Sequence, residues 1–274
     1  MRLLSDEVYR LENVSYAYHA GQAVLDGISL RVPRKEALAL LGANGSGKST
    51  LLKIMAALLW PTSGSVYAFG EELTEKRLRE AAFAHAFRCR IGFVFQNTDA
   101  QLFCPTVWDE VAYGPLQLGM PKDAVRRTVE EVLAFFGLEA LRNRPPYRLS
   151  GGEKKKVALA AVMAVNPEVL LLDEPTANLD PRSQYWLVTF LQKLHAAGKT
   201  IVIATHDLDI VPALARRVLV LGEDHRLLAD GSPVEILGNR ELLLRANLVH
   251  EHYHAHVHAD GHEHLHFHHH DHHD

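Results

Sequence analysis

The sequence predicts an α/β fold with a largely parallel core sheet, and three observations support this prediction. Short runs rich in leucine and β-branched residues alternate with segments of helical periodicity. A glycine-rich loop separates the first buried run from the helix that follows it. The chain has 274 residues and is 47% hydrophobic, which is enough for one large domain with a well-filled core.

The elements are assigned in chain order. In the first thirty or so residues, tyrosine, valine and leucine near glycines indicate short antiparallel strands beside the core. Residues 36–41, 168–173 and 200–204 predict buried strands. Residues 50–60 place leucines on one helical stripe and predict a helix that Pro61 stops. Beyond Val249 apolar residues thin out and histidine dominates.

Composition argues against several classes of protein. A formal charge of -4 gives no indication of nucleic-acid binding. Asp6, Glu7 and Arg10 interrupt any signal-peptide pattern, and no apolar run approaches the roughly 20 residues of a membrane span. Two cysteines do not make a disulfide framework. We therefore expect a chain that is not exported and does not span a membrane by itself.

The loop after the first buried strand has the pattern of a phosphate-binding site. Its glycines let successive N–H groups point inward, and the following helix adds its positive end. Lys48 is then expected to neutralise the β and γ phosphates, and Ser49 to offer its hydroxyl to Mg²⁺. The predicted nucleotide-binding residues of this loop are Gly42, Asn44, Gly45, Ser46, Gly47, Lys48, Ser49 and Thr50.

Two acids end the apolar run at residues 169–172. Acids in that position are costly inside a core unless they face a site. Asp173 suits the magnesium shell, and Glu174 suits a base that polarises the attacking water.

The segment LSGGE at residues 149–153 precedes a helix predicted to begin near Lys154. With the phosphate loop and the acids in this order, the chain resembles the ABC ATPase family, whose signature LSGGQ has Gln where Glu153 stands. The resemblance implies a RecA-like P-loop NTPase core with an antiparallel β subdomain and a helical subdomain. It also implies that Ser150, Gly151 and Gly152 bind the ATP held by the opposite subunit of a head-to-tail dimer.

The resemblance carries over to four further positions. Gln96 is similar to the glutamine that links Mg²⁺ and water to the membrane partner, and Asp180 to the acid of the loop that crosses the dimer interface. His206 is similar to the histidine that contacts the γ-phosphate, which makes Glu174, His206, Gln96 and Lys48 the expected catalytic set. Tyr18 resembles the aromatic residue that stacks on adenine, although Tyr16 is close enough to compete.

Residues 96–115 are similar to the same region of energy-coupling-factor importers, especially cobalt and nickel ATPase subunits. In those importers the region receives a coupling helix of the transmembrane subunit. Its apolar side chains are therefore either docking surface or internal packing of the helical subdomain: Leu102, Phe103, Val107, Trp108 and Val111.

The C-terminal segment predicts binding of transition metals. Thirteen of the eighteen histidines lie there, many at alternate positions, and neutral imidazole is a good ligand for nickel, cobalt and zinc. An affinity tag would have the same composition but not the interspersed acids. The predicted ligands are His250, His252, His254, His256, His258, His262, His264, His266, His268, His269, His270, His272 and His273.

Together these features predict an ABC ATP-binding domain at 1–245, with a helical subdomain at about 97–160, and a disordered histidine-rich tail at 246–274. The resemblance implies ATP and Mg²⁺ as cofactors and a homodimer or heterodimer of ATPase subunits. It further implies a transmembrane coupling subunit, a metal-binding membrane subunit and a peripheral position at the cytoplasmic face of the membrane.

Two other hypotheses remain. One is a metal-storing or metal-delivering P-loop protein with nucleotide-controlled release, although the chain has no guanine-reading NKxD motif. The other is an ABC ATPase of DNA repair or translation, which would need coiled-coil insertions or a second ATPase half.

Overall fold

The computed structural model describes residues 6–18 and 21–249. Its strands in chain order are β1 (Glu7–Ala17), β2 (Ala23–Pro33), β3 (Ala37–Leu41), β4 (Ser63–Ala68), β5 (Glu71–Glu72), β6 (Ile91–Val94), β7 (Val169–Asp173), β8 (Thr200–Thr205), β9 (Arg217–Leu221) and β10 (Leu227–Gly231). Its helices are α1 (Lys48–Met55), α2 (Glu75–Leu78), α3 (Ala81–Arg88), α4 (Val107–Gln117), α5 (Lys122–Phe136), α6 (Gly151–Met163), α7 (Pro181–Ala196), α8 (Val211–Leu214), α9 (Pro233–Gly238) and α10 (Arg240–Arg245).

A six-stranded sheet forms the centre of the fold, with strand order β10-β9-β3-β8-β7-β6. All neighbours in it pair in parallel except β10, which pairs antiparallel with β9. A second sheet, with order β2-β1-β4-β5, is antiparallel. The predicted α/β class, the largely parallel core and the antiparallel sheet beside it are thus confirmed.

Alternate residues of the central strands pack into different cores. On β7, Val169 and Leu171 join the core shared with α1 and the antiparallel sheet, whereas Leu170 and Leu172 join the core shared with α4 to α7. Every residue of β3, β7 and β8 is buried, as expected of parallel strands covered on both faces. The carboxyl ends of these strands therefore open at one edge of a sheet held between two layers.

Two helix boundaries differ from the sequence-based predictions. Helix α1 ends at Met55, five residues before Trp60, because Ala57 takes a left-handed φ of 55° and Leu58 N donates to Lys53 O. The apolar stripe continues past this turn because Leu59 and Trp60 still pack against the core. Helix α6 begins at Gly151 rather than near Lys154, since Ser150 caps it.

Helices α4 and α5 and most of α6 lie in the predicted 97–160 segment, and α6 continues to Met163. The division of the chain into domains stays a prediction. Within residues 6–18 and 21–249, no helix is long and apolar enough to cross a bilayer. The histidine-rich segment from His250 onward lies outside the described residues.

Candidate functional site

The phosphate loop joins the buried end of β3 to the first turn of α1. Gly45 and Gly47 have φ of 86° and 105°, which L side chains rarely adopt. A Cβ at Gly47 would lie 2.4 Å from the carbonyl oxygen of Val24, whereas a Cβ at Gly45 would meet no atom of the described residues within 4 Å. The loop is therefore packed against β2 at Gly47 and open at Gly45, and within it Ser46 N donates to Ala43 O at 3.2 Å.

We expect Gly47→Ala to destabilise the protein strongly. The left-handed backbone costs an alanine about 1–2 kcal/mol, and the contact with Val24 O adds about 1–3 kcal/mol of overpacking. Gly27→Ala is the matched control, because Gly27 also has a positive φ, 64°, but within the described part of the chain no atom lies within 4 Å of the new Cβ. Urea unfolding of both variants measures the difference. Equal losses would contradict the close packing of Gly47.

Lys48 is buried at the base of the loop. Its Nζ donates to the carbonyl oxygens of Gly42 (2.7 Å) and Ala43 (3.0 Å) and lies 3.8 Å from Glu174 Oε1. Burial lowers the pKa of Lys48, and the nearby Glu174 and Asp173 partly oppose that shift. An ammonium held this way can turn toward phosphate oxygens without leaving its pocket.

Ser49 and Asp173 meet at the carboxyl end of β7. Ser49 Oγ donates to Asp173 Oδ1 at 2.7 Å. Burial raises the pKa of Asp173, although the hydrogen bond from Ser49 opposes this. The hydroxyl and the carboxylate are the kind of oxygen ligands that Mg²⁺ binds directly or through water.

Glu174 lies at the centre of the site. Its side chain is buried and accepts from His206 Nδ1 (3.0 Å) and from Thr205 Oγ1 (3.2 Å). Its backbone has a left-handed φ of 42°, which is unusual for a residue other than glycine, directly after the last residue of β7. His206 keeps 53% of its side chain exposed, so it reaches the solvent side of the same carboxylate. The sequence analysis did not identify Thr205, whose hydroxyl donates to the second carboxylate oxygen of Glu174, Oε2.

Tyr18 lies beside the phosphate loop. Its hydroxyl is 3.3 Å from Thr50 Oγ1, and 52% of the residue is exposed. Tyr16 packs edge-on against it at 4.9 Å between ring centroids and is partly buried against the core. Tyr18 is therefore the better placed of the two to offer a ring face to a nucleotide base.

Ser150 caps α6 through a reciprocal pair of contacts with Glu153. Ser150 N and Oγ both donate to Glu153 Oε2 at 2.8 Å, and these bonds lower the pKa of Glu153. A Cβ at Gly152 would meet Ser183 Oγ at 2.6 Å and Asp180 Oδ2 at 3.9 Å. Asp180 itself caps α7. The signature helix and the Asp180 loop are thus neighbours within one chain.

Gln96 follows β6, whose Val94 pairs with Leu172 of β7 next to Asp173. The residue is exposed, and its carbonyl oxygen accepts from Lys155 Nζ at 3.4 Å. Lys155 is buried, which lowers its pKa to about 8 while Asp173 opposes the shift. The sequence analysis did not identify Lys155. Three consecutive lysines follow LSGGE, and the residue at which the helix begins decides which of them points inward.

The hydrogen bonds and ion pairs of the described residues bring together Lys48, Ser49, Asp173, Glu174 and His206. These contacts join none of Gln96, Ser150 and Asp180 to that group. Ser150 lies exposed at a helix N-terminus, where backbone N–H groups and the helix dipole favour an anion. One chain therefore has a candidate phosphate site and, outside that group of contacts, an exposed helix N-terminus capped by Ser150.

The residues fit ATP and Mg²⁺. In the phosphate loop, Ser46 Oγ is buried and has no hydrogen-bond partner among the described residues, so a polar atom there is available to a ligand. Among residues 6–18 and 21–249, no three His, Cys, Asp or Glu side chains form a metal-binding group. A cation at Ser49 and Asp173 would therefore depend on ligands from the nucleotide and water, as Mg²⁺ in nucleotide sites does.

The proposed docking residues separate into two sets. Leu102, Val107 and Val111 are buried in the core beneath α4, so for them internal packing is correct. Phe103 is 65% exposed and packs edge-on against Tyr113. Trp108 is partly buried, with the Arg142 guanidinium 4.6 Å from its ring centroid. Among these five residues, only Phe103 and the exposed part of Trp108 are accessible for docking of a coupling helix.

Comparisons with known proteins agree with this site. Residues 25–177 match the family model described as ABC transporter. The chain is 49% identical to the nickel import ATP-binding protein NikO of Rhodobacter capsulatus, covering 88% of this chain and 95% of NikO. It is 43% identical to the energy-coupling factor transporter ATP-binding protein EcfA of Methanocaldococcus jannaschii, covering 88% and 85% of the two chains.

Two solved structures are similar along most of the chain. CbiO1 of Clostridium perfringens, part of the ABC transporter complex cbiONQ, gives a TM-score of 0.75 at 36% identity, covering 89% of this chain and 96% of CbiO1. The ATP-binding cassette MJ0796, a dimer bound to ADP and Pi, gives a TM-score of 0.72 at 30% identity, covering 82% and 98%. The family match at residues 25–177 includes the phosphate loop and the acids at the end of β7.

Proposed function

This chain belongs to the ABC transporter family as an ATPase subunit of the energy-coupling-factor and metal-importer type, and we propose that it energises uptake of nickel or cobalt. Proteins of this family couple ATP hydrolysis to transport and act as dimers with transmembrane subunits. The observation that carries the ATPase role is the buried Glu174 carboxylate, held by His206 and Thr205 beside Lys48.

In the proposed mechanism Lys48 leaves the loop carbonyls and neutralises the β and γ phosphates of ATP. Ser49, Asp173 and Gln96 would hold Mg²⁺, which would supply charge neutralisation to the phosphates when bound. Glu174 then accepts a proton from the attacking water, while Thr205 and His206 keep its two oxygens oriented. Tyr18 offers its ring to the adenine.

Dimerisation completes the site. Within one chain, Ser150 and Lys48 share no described contact, and we propose that each binds a phosphate of a different ATP molecule. A head-to-tail pair brings the Ser150, Gly151 and Gly152 helix end of one subunit to the γ-phosphate held by the other, with Asp180 at the interface. The dimeric state of the MJ0796 cassette supports the pairing of two ATPase chains. The dimer contains either two copies of this chain or this chain and a second ATPase subunit. Measuring which of these two pairs hydrolyses ATP distinguishes them.

Two observations support nickel or cobalt as cargo. The NikO relative is named for nickel import, and the chain carries thirteen histidines between residues 250 and 273. Imidazole-rich segments bind nickel, cobalt and zinc without sharp discrimination, so the segment acts as a buffer for arriving metal rather than as a selective site. We place the subunit at the cytoplasmic face of the membrane, held there by a transmembrane coupling subunit and a metal-binding membrane subunit.

Reconstitution tests the transport role. The full chain is assembled with its transmembrane and metal-binding subunits in vesicles, and ATP hydrolysis and uptake of nickel and cobalt are measured. We expect metal entry that requires ATP. ATP hydrolysis without uptake of either metal would overturn the cargo, and nucleotide-controlled metal release by the chain without membrane subunits would favour the storage hypothesis.

Removal of residues 250–274 tests whether the histidine-rich segment binds metal without contributing to ATP hydrolysis. We expect the shortened chain to keep the ATPase rate of the full chain in the assembled complex, because its catalytic residues lie before Val249. It should lose most nickel bound per chain in equilibrium dialysis at neutral pH. A chain with serine in place of the thirteen histidines is the length-matched control. Unchanged nickel binding by the shortened chain would contradict the buffer role.

A further inference from the structure

Two consecutive lysines at the start of α6 contact the segment that follows β6. Lys155 is 3% exposed, and its Nζ donates to the backbone carbonyl oxygen of Gln96 at 3.4 Å. Lys154 Nζ lies 2.6 Å from Asp99 Oδ1. The same helix turn therefore holds the segment at Gln96 and again at Asp99.

Stability alone does not explain these contacts. Burying an ammonium costs free energy, and an apolar side chain of similar length would fill the same space without that cost. The Lys154 pair is partly exposed, with 67% of the Asp99 side chain in solvent, and such pairs contribute little to folding. What the two contacts do is fix a distance between α6 and the chain after β6.

That distance matters because of what lies at each end of the connection. Helix α6 begins at Gly151, directly after the Ser150 cap. The other end of the connection is the Gln96 main chain, two residues beyond Val94, which pairs with β7 next to Asp173. One helix turn thus joins the Ser150 helix end to the main chain that follows β6, the strand next to β7 and Asp173.

We propose that Lys154 and Lys155 are positioning residues. Their contacts with the Gln96–Ala100 segment, together called the clip, hold this segment against α6 so that Gln96 moves with the signature helix. The proposal rests on the proposed function, since it assigns the clip to the hydrolysis cycle. When the partner's nucleotide draws the Ser150 end of α6 into the dimer interface, the clip carries Gln96 with it. Gln96 reaches the Mg²⁺ of its own site only in that closed arrangement.

Lys155→Met tests the buried half of the clip, with Lys156→Met as the matched control. Lys156 lies on the same helix, but its Nζ is 5.0 Å from the Trp186 ring centroid rather than at Gln96. In the complex with membrane subunits, we expect Lys155→Met to lower kcat on the order of tenfold to a hundredfold and to raise the Mg²⁺ concentration needed for half-maximal rate. The KM for ATP should stay near the wild-type value. Lys156→Met should change neither kcat nor the Mg²⁺ requirement.

A charge exchange tests the exposed half and does not depend on how Lys155→Met folds. Lys154→Asp and Asp99→Lys each place like charges together and should lower kcat and raise the Mg²⁺ requirement. The double variant restores an opposite pair and should recover kcat to within about threefold of wild type, since the exchange retains one attractive pair of the same geometry. A merely structural role would change the melting temperatures of the single variants and leave their kcat and Mg²⁺ requirement at the wild-type values.

The outcomes separate the clip from the proposed function. If the wild-type complex hydrolyses ATP but Lys155→Met matches Lys156→Met in kcat and Mg²⁺ requirement, the clip is overturned and the transport role stands. A double charge variant as impaired as the worse single variant also overturns the clip. Should Lys155→Met fail to fold, the charge exchange alone decides.

Discussion

Glu174→Gln stops ATP turnover and leaves ATP bound. A general base contributes roughly 10²–10⁴-fold to rate, and Gln is isosteric but cannot accept the proton. The amide oxygen still accepts from Thr205 or His206, so the local fold survives. We expect the ATPase rate of the assembled complex to fall by at least about two orders of magnitude, with ATP affinity within a few-fold of wild type.

Glu168→Gln is the matched control for this prediction. Glu168 precedes the same strand β7, but its carboxylate pairs with Arg34 and Arg90 at the opposite end, away from the phosphate loop. The control loses partly exposed ion pairs and should hydrolyse ATP at the wild-type rate. Steady-state phosphate release and filter binding of labelled ATP measure both variants. A Glu174→Gln protein that turns over at more than a tenth of the wild-type rate would remove Glu174 from the role of base.

Ser150→Asp abolishes ATP-dependent dimerisation. Aspartate caps a helix as well as serine does, so α6 keeps its N-terminus. The new carboxylate, however, faces the γ-phosphate of the partner's ATP, and like charges at such a distance repel strongly in a closed interface. In the Glu174→Gln background with ATP, we expect the dimer dissociation constant to rise roughly a hundredfold, about 2.7 kcal/mol.

Ser232 supplies the control for Ser150. It caps α9 with the same reciprocal contacts, since Ser232 N and Oγ both donate to Glu235 Oε2 at 2.8 Å. Ser232→Asp therefore imposes the same local change on a helix end without a proposed ligand. Analytical ultracentrifugation of both variants with ATP compares their masses. If the two variants dimerise equally, or if the ATP-loaded parent stays monomeric even with its membrane subunits, the shared site is refuted.

The order of strand, glycine loop and helix was readable from the chain because it is local. The period of the apolar residues identified β3, β7 and β8 to within one residue at each end. The glycines, Lys48 and Ser49 lie in one short loop, and Asp173 and Glu174 are adjacent, so their chemistry follows from their spacing. Helix propensity did not locate the end of α1. The turn at Ala57 depends on packing, and the apolar stripe of the helix continues into the loop that follows.

Tertiary structure alone decided which distant residues meet. Thr205 and Glu174 come together because β7 and β8 are neighbours in the sheet, a pairing that no local pattern encodes. Lys155 points inward and Phe103 outward because of where α6 and α4 pack, although neighbouring residues have the same chemistry.

The amino-acid sequence by itself thus determined the class of fold, the phosphate loop and the identity of the acids. Each of these depends on residues close together along the chain, where steric and periodic rules act directly. The folded chain decided three further features. These are the hydrogen bonds of Thr205 and His206 to Glu174, the contact of Lys155 with Gln96, and the separation of Ser150 from Lys48. They depend on the order of strands and the packing of helices, and burial free energy summed over the whole core selects that arrangement.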